Sequence, residues 1–404
     1  MNETEAREAP SGPLAGMKVV ELGQLIAGPY AARLLAEFGA DVVKIEPPGI
    51  GDPLRKWRVL HEDTSLWWYL QARNKRSVTA DLKSPEGQEI VRRLVRDADI
   101  LIENFRPGAL EKWGLGWEAL SAINPKLVML RISGYGQTGP YSQRPGFGVI
   151  GEAMGGIRYT TGSPDRAPSR TGISIGDTLS SLYGVMGALM SVIHVVRNGG
   201  PGQVVDVALT ESVLSVMESL VPEYGVADIV RERSGGALPG IAPTDAYPCR
   251  DGWVLIAGNG DSIFKRLMTK IGRTDLANDP SLARNDGRVA KVDMIDAAIG
   301  AWTAELTIGE VIDAMNEASV PVGRIYNARD IVEDPHYRDR AMVMDATLPD
   351  GTAMPVPGIA PKLSATPGAM HSLGPALGAH TDEVLGDIGY SAEEIAGMRQ
   401  RGIV

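Results

Sequence analysis

The stretch RTGISIGDTLSSLYG, Arg170 to Gly184, holds one acidic residue, Asp177, after a run of small residues and before a segment of helical spacing. Two chemistries fit a carboxylate there. Aspartate is a good N-cap, because its oxygen accepts from the unpaired N–H groups of a first helical turn, and TLSSLYGVMGALMSVIHVV reads as the helix that follows. The same helix start favours an ionised carboxylate, as a nucleophile requires, so one side chain could serve both roles. Small neighbours, Gly176 and Thr178, leave room for a substrate beside it. Other reactive constellations do not emerge. The five histidines (His61, His194, His336, His371, His380) are scattered without HExxH spacing, and CxxC, GxSxG and a P-loop ending in GKS or GKT are missing from the sequence. No metal site is expected. The single cysteine, Cys249, has no basic partner in view and is read as structural; alone, it can form no internal disulfide.

The segments that must position Asp177 follow an α/β pattern. With 404 residues, 44% of them hydrophobic, the chain can bury a large core and suggests two domains. MKVVEL (17–22) and DVVKIE (41–46) read as strands around the helix-like GPYAARLLAEFGA, a right-handed βαβ start to a parallel sheet. The pattern repeats through RSVTADL, SPEGQEIVRRLVRDA with Ser84 as its cap, DILIEN and KLVMLRIS. The first turn, GQLIAGP (23–29), lacks GxGxxG, so a Rossmann-like sheet is expected without a bound dinucleotide. The loops IENFRPG and ISGYGQTGP fall at carboxyl ends of strands, where open α/β sheets bind ligands. The Gly- and Pro-rich passage Arg233 to Gly252 reads as a loop between domains, followed by the strand WVLIAGNG and helices near 261–271, 281–289, 292–305 and 308–318. Short extended runs return from Tyr337, and HTDEVLGDIGYSAEEIAGMRQRGIV closes the chain with helical spacing.

A formal charge of −10 disfavours nucleic acid as a partner. Basic residues nevertheless concentrate at Arg55, Lys56, Arg58, Arg73, Lys75, Arg76, Lys83, Arg92, Arg93, Arg96 and Arg106, which would suit a phosphorylated small molecule. The most apolar segment, Leu182 to Val196, is interrupted by Gly184, Gly187 and His194 and is not read as a membrane span. MNETEAREAPSGP is polar and acidic and reads as a loose leader, so a reducing cytoplasm is the expected location.

Several stretches in order, LAGMKVVELGQLIAGPYAARLLAEFGADVVKIEPPGIGD, NKRSVTADLKSPEG, ENFRPGALEKWGLGWEALSAINPKLVMLRISGYGQTGP, GDTLSSLYG and LGAHTDEVLGDIGY, resemble the family III CoA-transferases, from about Pro13 to Val404. The resemblance implies a large Rossmann-like CoA-binding domain formed by both chain ends (1–225 and 336–404) with a smaller inserted domain (226–335), in two chains interlocked as a homodimer. It also implies a role for each site residue. Asp177 takes the place of the family's nucleophile, which attacks an acyl-CoA, passes through a mixed anhydride and then carries CoA as an aspartyl thioester. Ile26, Ala27, Lys83, Asn104, Phe105 and Arg106 take the places of CoA contacts, an aromatic face suiting adenine and the cations suiting phosphates. Coenzyme A is then a substrate, and no permanently bound cofactor is expected. Ser234 to Gly240 corresponds to a glycine-rich loop over the reacting aspartate; its N–H groups, or those of Ala257 to Gly260, would hold an oxyanion.

A related branch, the α-methylacyl-CoA racemases, needs a proton-exchanging histidine shortly after the GYGQ segment. Phe147 stands there instead, which favours transfer. Phe147 and Gly148 would make the acceptor pocket apolar and roomy, fitting a dicarboxylate or substituted succinate, with Arg144, Arg158 or Arg170 for its second carboxylate and succinyl-CoA as donor. A subunit of a heteromeric transferase is the other reading, although the presence of Asp177 makes this the active subunit.

Overall fold

The computed structural model describes residues 12–404, so the leader read at the start of the sequence lies almost wholly outside the described residues. The chain divides into two units. The larger contains the chain up to Arg158, Thr171–Gly225 and Ala341–Val404, the smaller Tyr159–Arg170 and Val226–Arg340.

In the larger unit six strands form one parallel sheet: β1 (Lys18–Glu21), β2 (Asp41–Glu46), β3 (Lys75–Thr79), β4 (Ile100–Glu103), β5 (Val128–Ser133) and β6 (Val204–Ala208), in the order β3-β2-β1-β4-β5-β6. This is a doubly wound, Rossmann-like order whose direction reverses between β1 and β4, where such sheets open a crevice for ligands. Strands β1, β2, β4 and β5 place buried apolar residues on both faces because both faces are covered. Val19, Val42, Ile100 and Val128 enter one core layer, and their neighbours Val20, Val43, Leu101 and Met129 the other. Helix α1 (Ala27–Glu37) covers the first layer and α2 (Pro85–Val95) the second. Ser84 caps α2 as expected, accepting from the Gly87 N–H at 3.0 Å. The C-terminal helices Thr381–Asp387 and Ala392–Gln400 share the layer of α2, and the bonds that tie this end of the chain to the β3 edge include His380 N–H to Ser77 O (2.9 Å), Thr79 N–H to Thr381 Oγ1 (3.1 Å) and Asp81 N–H to Ile403 O (2.8 Å).

The helices between β5 and β6 include α3 (Gly148–Met154) and α4 (Ile175–Asn198). The glycines expected to interrupt the apolar run of α4 do not. A Cβ on Gly184 would meet Leu130 at 3.0 Å and one on Gly187 would meet Val205 at 2.7 Å, so their bare backbones let the helix lie against the sheet. At 24 residues, with an 18-residue stretch of mean hydropathy 1.7, α4 is by length and composition alone enough to cross a membrane. Its buried face is made of small residues, Gly176, Ser180, Ser181, Gly184, Ala188 and Ser191.

The smaller unit pairs an antiparallel sheet (Thr244–Cys249, Gly252–Ala257, Val322–Arg324) with the helices Asp261–Lys270, Val292–Thr303 and Ile308–Glu317 around Tyr247, Val254, Ile256, Leu267, Ile299 and Met315. Thr244–Cys249 corrects the loop expected across Arg233 to Gly252. Pro248 hides the strand in the sequence, yet is tolerated because this strand is at an edge and pairs on one side only. Tyr159–Arg170 also belongs here rather than with its sequence neighbours, held by Arg233 Nη1 to Tyr159 O (2.9 Å) and Gly235 N–H to Gly162 O (3.0 Å).

Candidate active site

Helix α4 begins at Ile175 with Ser174 as the flanking residue, so Asp177 is the third helical residue and not the cap. That corrects one of the two roles read from the sequence. The half-buried carboxylate remains in the first turn, near the positive end of the helix dipole. It packs against Gly148: a Cβ built there would lie 2.0 Å from Asp177 Oδ2 and 2.7 Å from Cγ. The room that Gly148 was expected to leave for an acceptor is therefore taken by Asp177 itself. Gly176 likewise provides helix contact instead of substrate space, since its Cβ would lie 3.0 Å from Gly148 O. Phe147 precedes α3 with its side chain 69% exposed, a phenyl ring where racemase chemistry would need a titratable group.

The Ser181 hydroxyl, fully buried one turn along α4, lies 2.7 Å from Asp177 O and 2.7 Å from Ala27 O. It joins the Asp177 helix to the start of α1. From Gly23 to Ile26, every residue of the β1–α1 turn is held by a side chain from elsewhere. Lys44 Nζ donates to Gly23 O (2.7 Å), Asn104 pairs with both the N–H and the carbonyl of Gln24 (2.8 Å each), and Gln71 Nε2 donates to Ile26 O (3.1 Å). Asp52 accepts from the Leu25 N–H at 3.0 Å. Gly23 and Gly28 are in close approach, a Cβ on Gly23 falling 3.0 Å from the Gly28 Cα, which is why this turn needs glycine at both.

Behind the turn lies a buried charge network, and it corrects the reading of the basic cluster. Lys44 and Lys75 both reach Glu21 at 2.8 Å, Lys44 also reaches Asp52 at 2.9 Å, and Arg55 reaches Glu46 at 2.8 Å while lying 3.7 Å over the Trp68 ring. Arg73 pairs with Glu37, Arg76 with Asp41, Lys56 with Asp63, and Arg92 and Arg93 with Glu89. Lys44, Lys75, Arg55 and Arg73 serve internal partners, because an unpaired buried charge is too costly to keep, while Lys56, Arg92 and Arg93 make pairs nearer the surface. Burial opposes the charge on Lys44, yet Asp52, Glu21 and Glu46 hold its ammonium above the usual range. For Lys75 burial prevails and, with Lys44 nearby, brings it down to about 8 despite Glu21. Burial also works against Asp52, but Lys44 and the N–H groups of Leu54 and Leu25 keep its carboxyl low.

The loop after β4 carries Asn104, Phe105 and Arg106. Glu103 accepts from the Phe105 N–H (2.8 Å) and from Arg131 (2.7 Å), and Arg131 continues to Glu111 (2.8 Å). Burial pushes Glu103 up to about 7 against the pull of Arg131 and the Phe105 N–H. The Phe105 ring packs edge-on against Trp113, centroids 5.4 Å apart. Asn104 and Ala27 are thus brought to one turn near Asp177, and buried Ile26 lies between them. Lys83, Arg106 and Arg144 are exposed; Arg144 stacks 3.7 Å over Tyr141, while Arg158 faces buried Glu152 at 3.6 Å.

A sequence model of CoA-transferase family III matches residues 14–381. The chain belongs to this family. It is 47% identical over 400 residues to succinyl-CoA–D-citramalate CoA-transferase of Chloroflexus aurantiacus, covering 98% of this chain and 99% of that one. It is 41% identical to the succinyl-CoA–L-malate CoA-transferase beta subunit of the same organism, covering 97% and 98%. A crystal structure of a CAIB/BAIF family protein from Brucella suis superposes with a TM-score of 0.83 at 35% identity, covering 94% of this chain and all of that one.

In this CoA-transferase the remaining sequence candidates fall in the smaller unit. Burial and Asp251 push the Cys249 thiol up, away from a reactive thiolate. Ser234 to Gly240 makes local turns, with Ser234 Oγ donating to Ala237 O at 2.7 Å, and in Ala257 to Gly260 a Cβ on Gly258 would meet Leu267 at 2.5 Å. Arg170 also belongs to this unit. Among the described residues no group of three or more His, Cys, Asp or Glu could hold a metal. Asp52, Ser181 and Gln71 escaped the sequence reading. For Asp52 one signal was present, the quoted PPGIGD after β2, where a lone carboxylate follows a turn.

Proposed function

We propose that this transferase moves CoA from succinyl-CoA to a dicarboxylic acid of the malate or citramalate type through covalent intermediates on Asp177. The observation that carries the reading is the seat of Asp177, half-buried in the first turn of α4 and pressed on Gly148. The carboxylate attacks the thioester carbonyl, the C–S bond breaks, and a mixed anhydride and CoA thiolate result. The thiolate then attacks the aspartyl carbonyl, releasing succinate and leaving an aspartyl-CoA thioester; the acceptor carboxylate repeats both steps in reverse. No net proton or electron is exchanged. The names of the two Chloroflexus relatives support this donor and acceptor class. Exposed Phe147 and Arg144 are assigned to the acceptor, the guanidinium pairing with its second carboxylate.

CoA is assigned to Ile26, Ala27, Lys83, Asn104, Phe105 and Arg106. The start of α1 supplies N–H groups unused by its own helix, which suit a phosphate, and Lys83 and Arg106 are exposed cations. Asn104 contributes through the Gln24 backbone, to which its amide is committed. The enzyme is assigned to the cytoplasm as an interlocked homodimer. Leu182, Met186, Met190, Ile193 and Val196 form an exposed row along α4, apolar surface that a second copy would cover.

Intact protein incubated with succinyl-CoA is expected to gain the mass of CoA, and hydroxylamine to leave a hydroxamate on Asp177. Asp177→Asn should fold, form no adduct and lose roughly a thousandfold or more in turnover. Normal turnover by folded Asp177→Ala would refute the mechanism.

A further inference from the structure

We propose that Asp52 is a positioning residue for the CoA thioester, acting through the backbone of the Gly23–Ala27 turn; this rests on the reading of that turn as part of the CoA site. Asp52 closes the PPGIGD stretch after β2, and it is fully buried, so no ligand touches it. Its carboxylate is spent on four contacts. Oδ1 accepts from Leu25 N–H (3.0 Å) and Leu54 N–H (2.9 Å), while Oδ2 is 3.2 Å from Leu25 N and 2.9 Å from Lys44 Nζ.

Leu25 is where this matters. Its φ is +65°, the left-handed region that a branched hydrophobic residue rarely occupies, so the conformation must be imposed from outside. Its N–H points at Asp52, and the next residue, Ile26, leads into α1. Lys44 supports the same device from the other side, bonding Gly23 O while it neutralises Asp52 and Glu21. The other clamps on the turn come from Asn104, Gln71 and Ser181, all uncharged. Asp52 is thus the anion in contact with the one residue of the turn whose backbone is strained. Removing it leaves the N–H groups of Leu25 and Leu54 and the Lys44 ammonium short of a partner, and the turn is free to relax away from the position that receives CoA.

The test uses the full-length chain, with free CoA as the calorimetric probe and succinyl-CoA as the kinetic one. Asp52→Ala is expected to raise the Kd for CoA and the KM for succinyl-CoA about tenfold, with kcat and the acceptor KM changed less than about twofold. Asp52→Asn keeps an oxygen for Leu25 and Leu54 and should recover part of that loss. Should Asp52→Ala fail to fold, Asp52→Asn carries the test with a rise of a few fold in the same two constants. Folded variants with wild-type Kd and KM, or a fall in kcat alone, overturn the inference while leaving the CoA site intact. Wild-type protein that binds neither CoA nor succinyl-CoA overturns the reading of the site together with the inference.

Discussion

Gly148 and Asp177 are in direct contact, so close that a methyl group on the glycine would lie 2.0 Å from Oδ2 of the aspartate. The two residues are separated by a helix, a loop and a helix start, yet the backbone of one forms the seat of the other. A glycine at the first position of α3 has a local reason, since only a residue without a side chain leaves room there for the carboxylate.

Gly148→Ala should therefore separate activity from stability. Alanine favours α3, so the melting temperature should hold or rise, while the displaced carboxylate should lower kcat by about a hundredfold. Parallel melting curves and initial rates check this. Wild-type kcat in the alanine variant would show that the seat is not needed.

Asn104→Asp probes the turn from the other strand. The substitution replaces the amide that donates to Gln24 O with an oxygen, setting two acceptors against each other while keeping the shape. A loss of about 1–3 kcal/mol is expected in chemical denaturation, with weaker succinyl-CoA binding. Asn104→Ser, which lacks the repulsion, should lose less.

Glu103 sets a pH dependence. Its carboxyl is pushed up to about 7 by burial, so the folded chain keeps a proton that the unfolded chain releases near 4.5. The resulting stability is fully present below about 4.5 and is lost as the pH rises through 7. Melting temperatures from about pH 5 to pH 8 should fall more steeply for the wild type than for Glu103→Gln, which cannot ionise. Identical slopes would argue that Arg131 keeps Glu103 charged throughout.

Met190 is 60% exposed in the middle of the apolar row on α4. The proposed homodimer makes a test of this row: if a second copy covers it, Met190→Glu should give monomer or aggregate in light scattering where the wild type gives dimer, because a buried unpaired carboxylate is costly at an apolar contact. An unchanged dimer would place the interface on another face.

Much of the parallel sheet was legible in the sequence because β1, β2, β4 and β5 are short apolar runs bounded by polar turn residues, and α2 announced itself through Ser84, Glu86 and Glu89. The C-terminal helices were also visible from their spacing. The buried charges were not. Lys44, Lys75 and Arg55 look like surface residues until Glu21 and Glu46 are brought against them by strand pairing, and no local pattern encodes that. Pro248 concealed an edge strand for the same reason, since only the pairing shows which side of it is free. Gly148 was noticed, but its purpose depends on a carboxylate from another helix, so the sequence suggested empty space where the fold has an occupant.

The bonds from His380, Thr381 and Ile403 to the β3 edge have a consequence for synthesis of the chain. Val384, Leu385, Ile395 and Met398 complete the core layer that β1 and β2 begin, so a nascent polypeptide on the ribosome holds that layer uncovered until these two helices emerge. Contacts joining sequence so far apart are slow to form. Translation stalled within the final two helices should leave a sticky, protease-sensitive product, one that chaperones would have to shield.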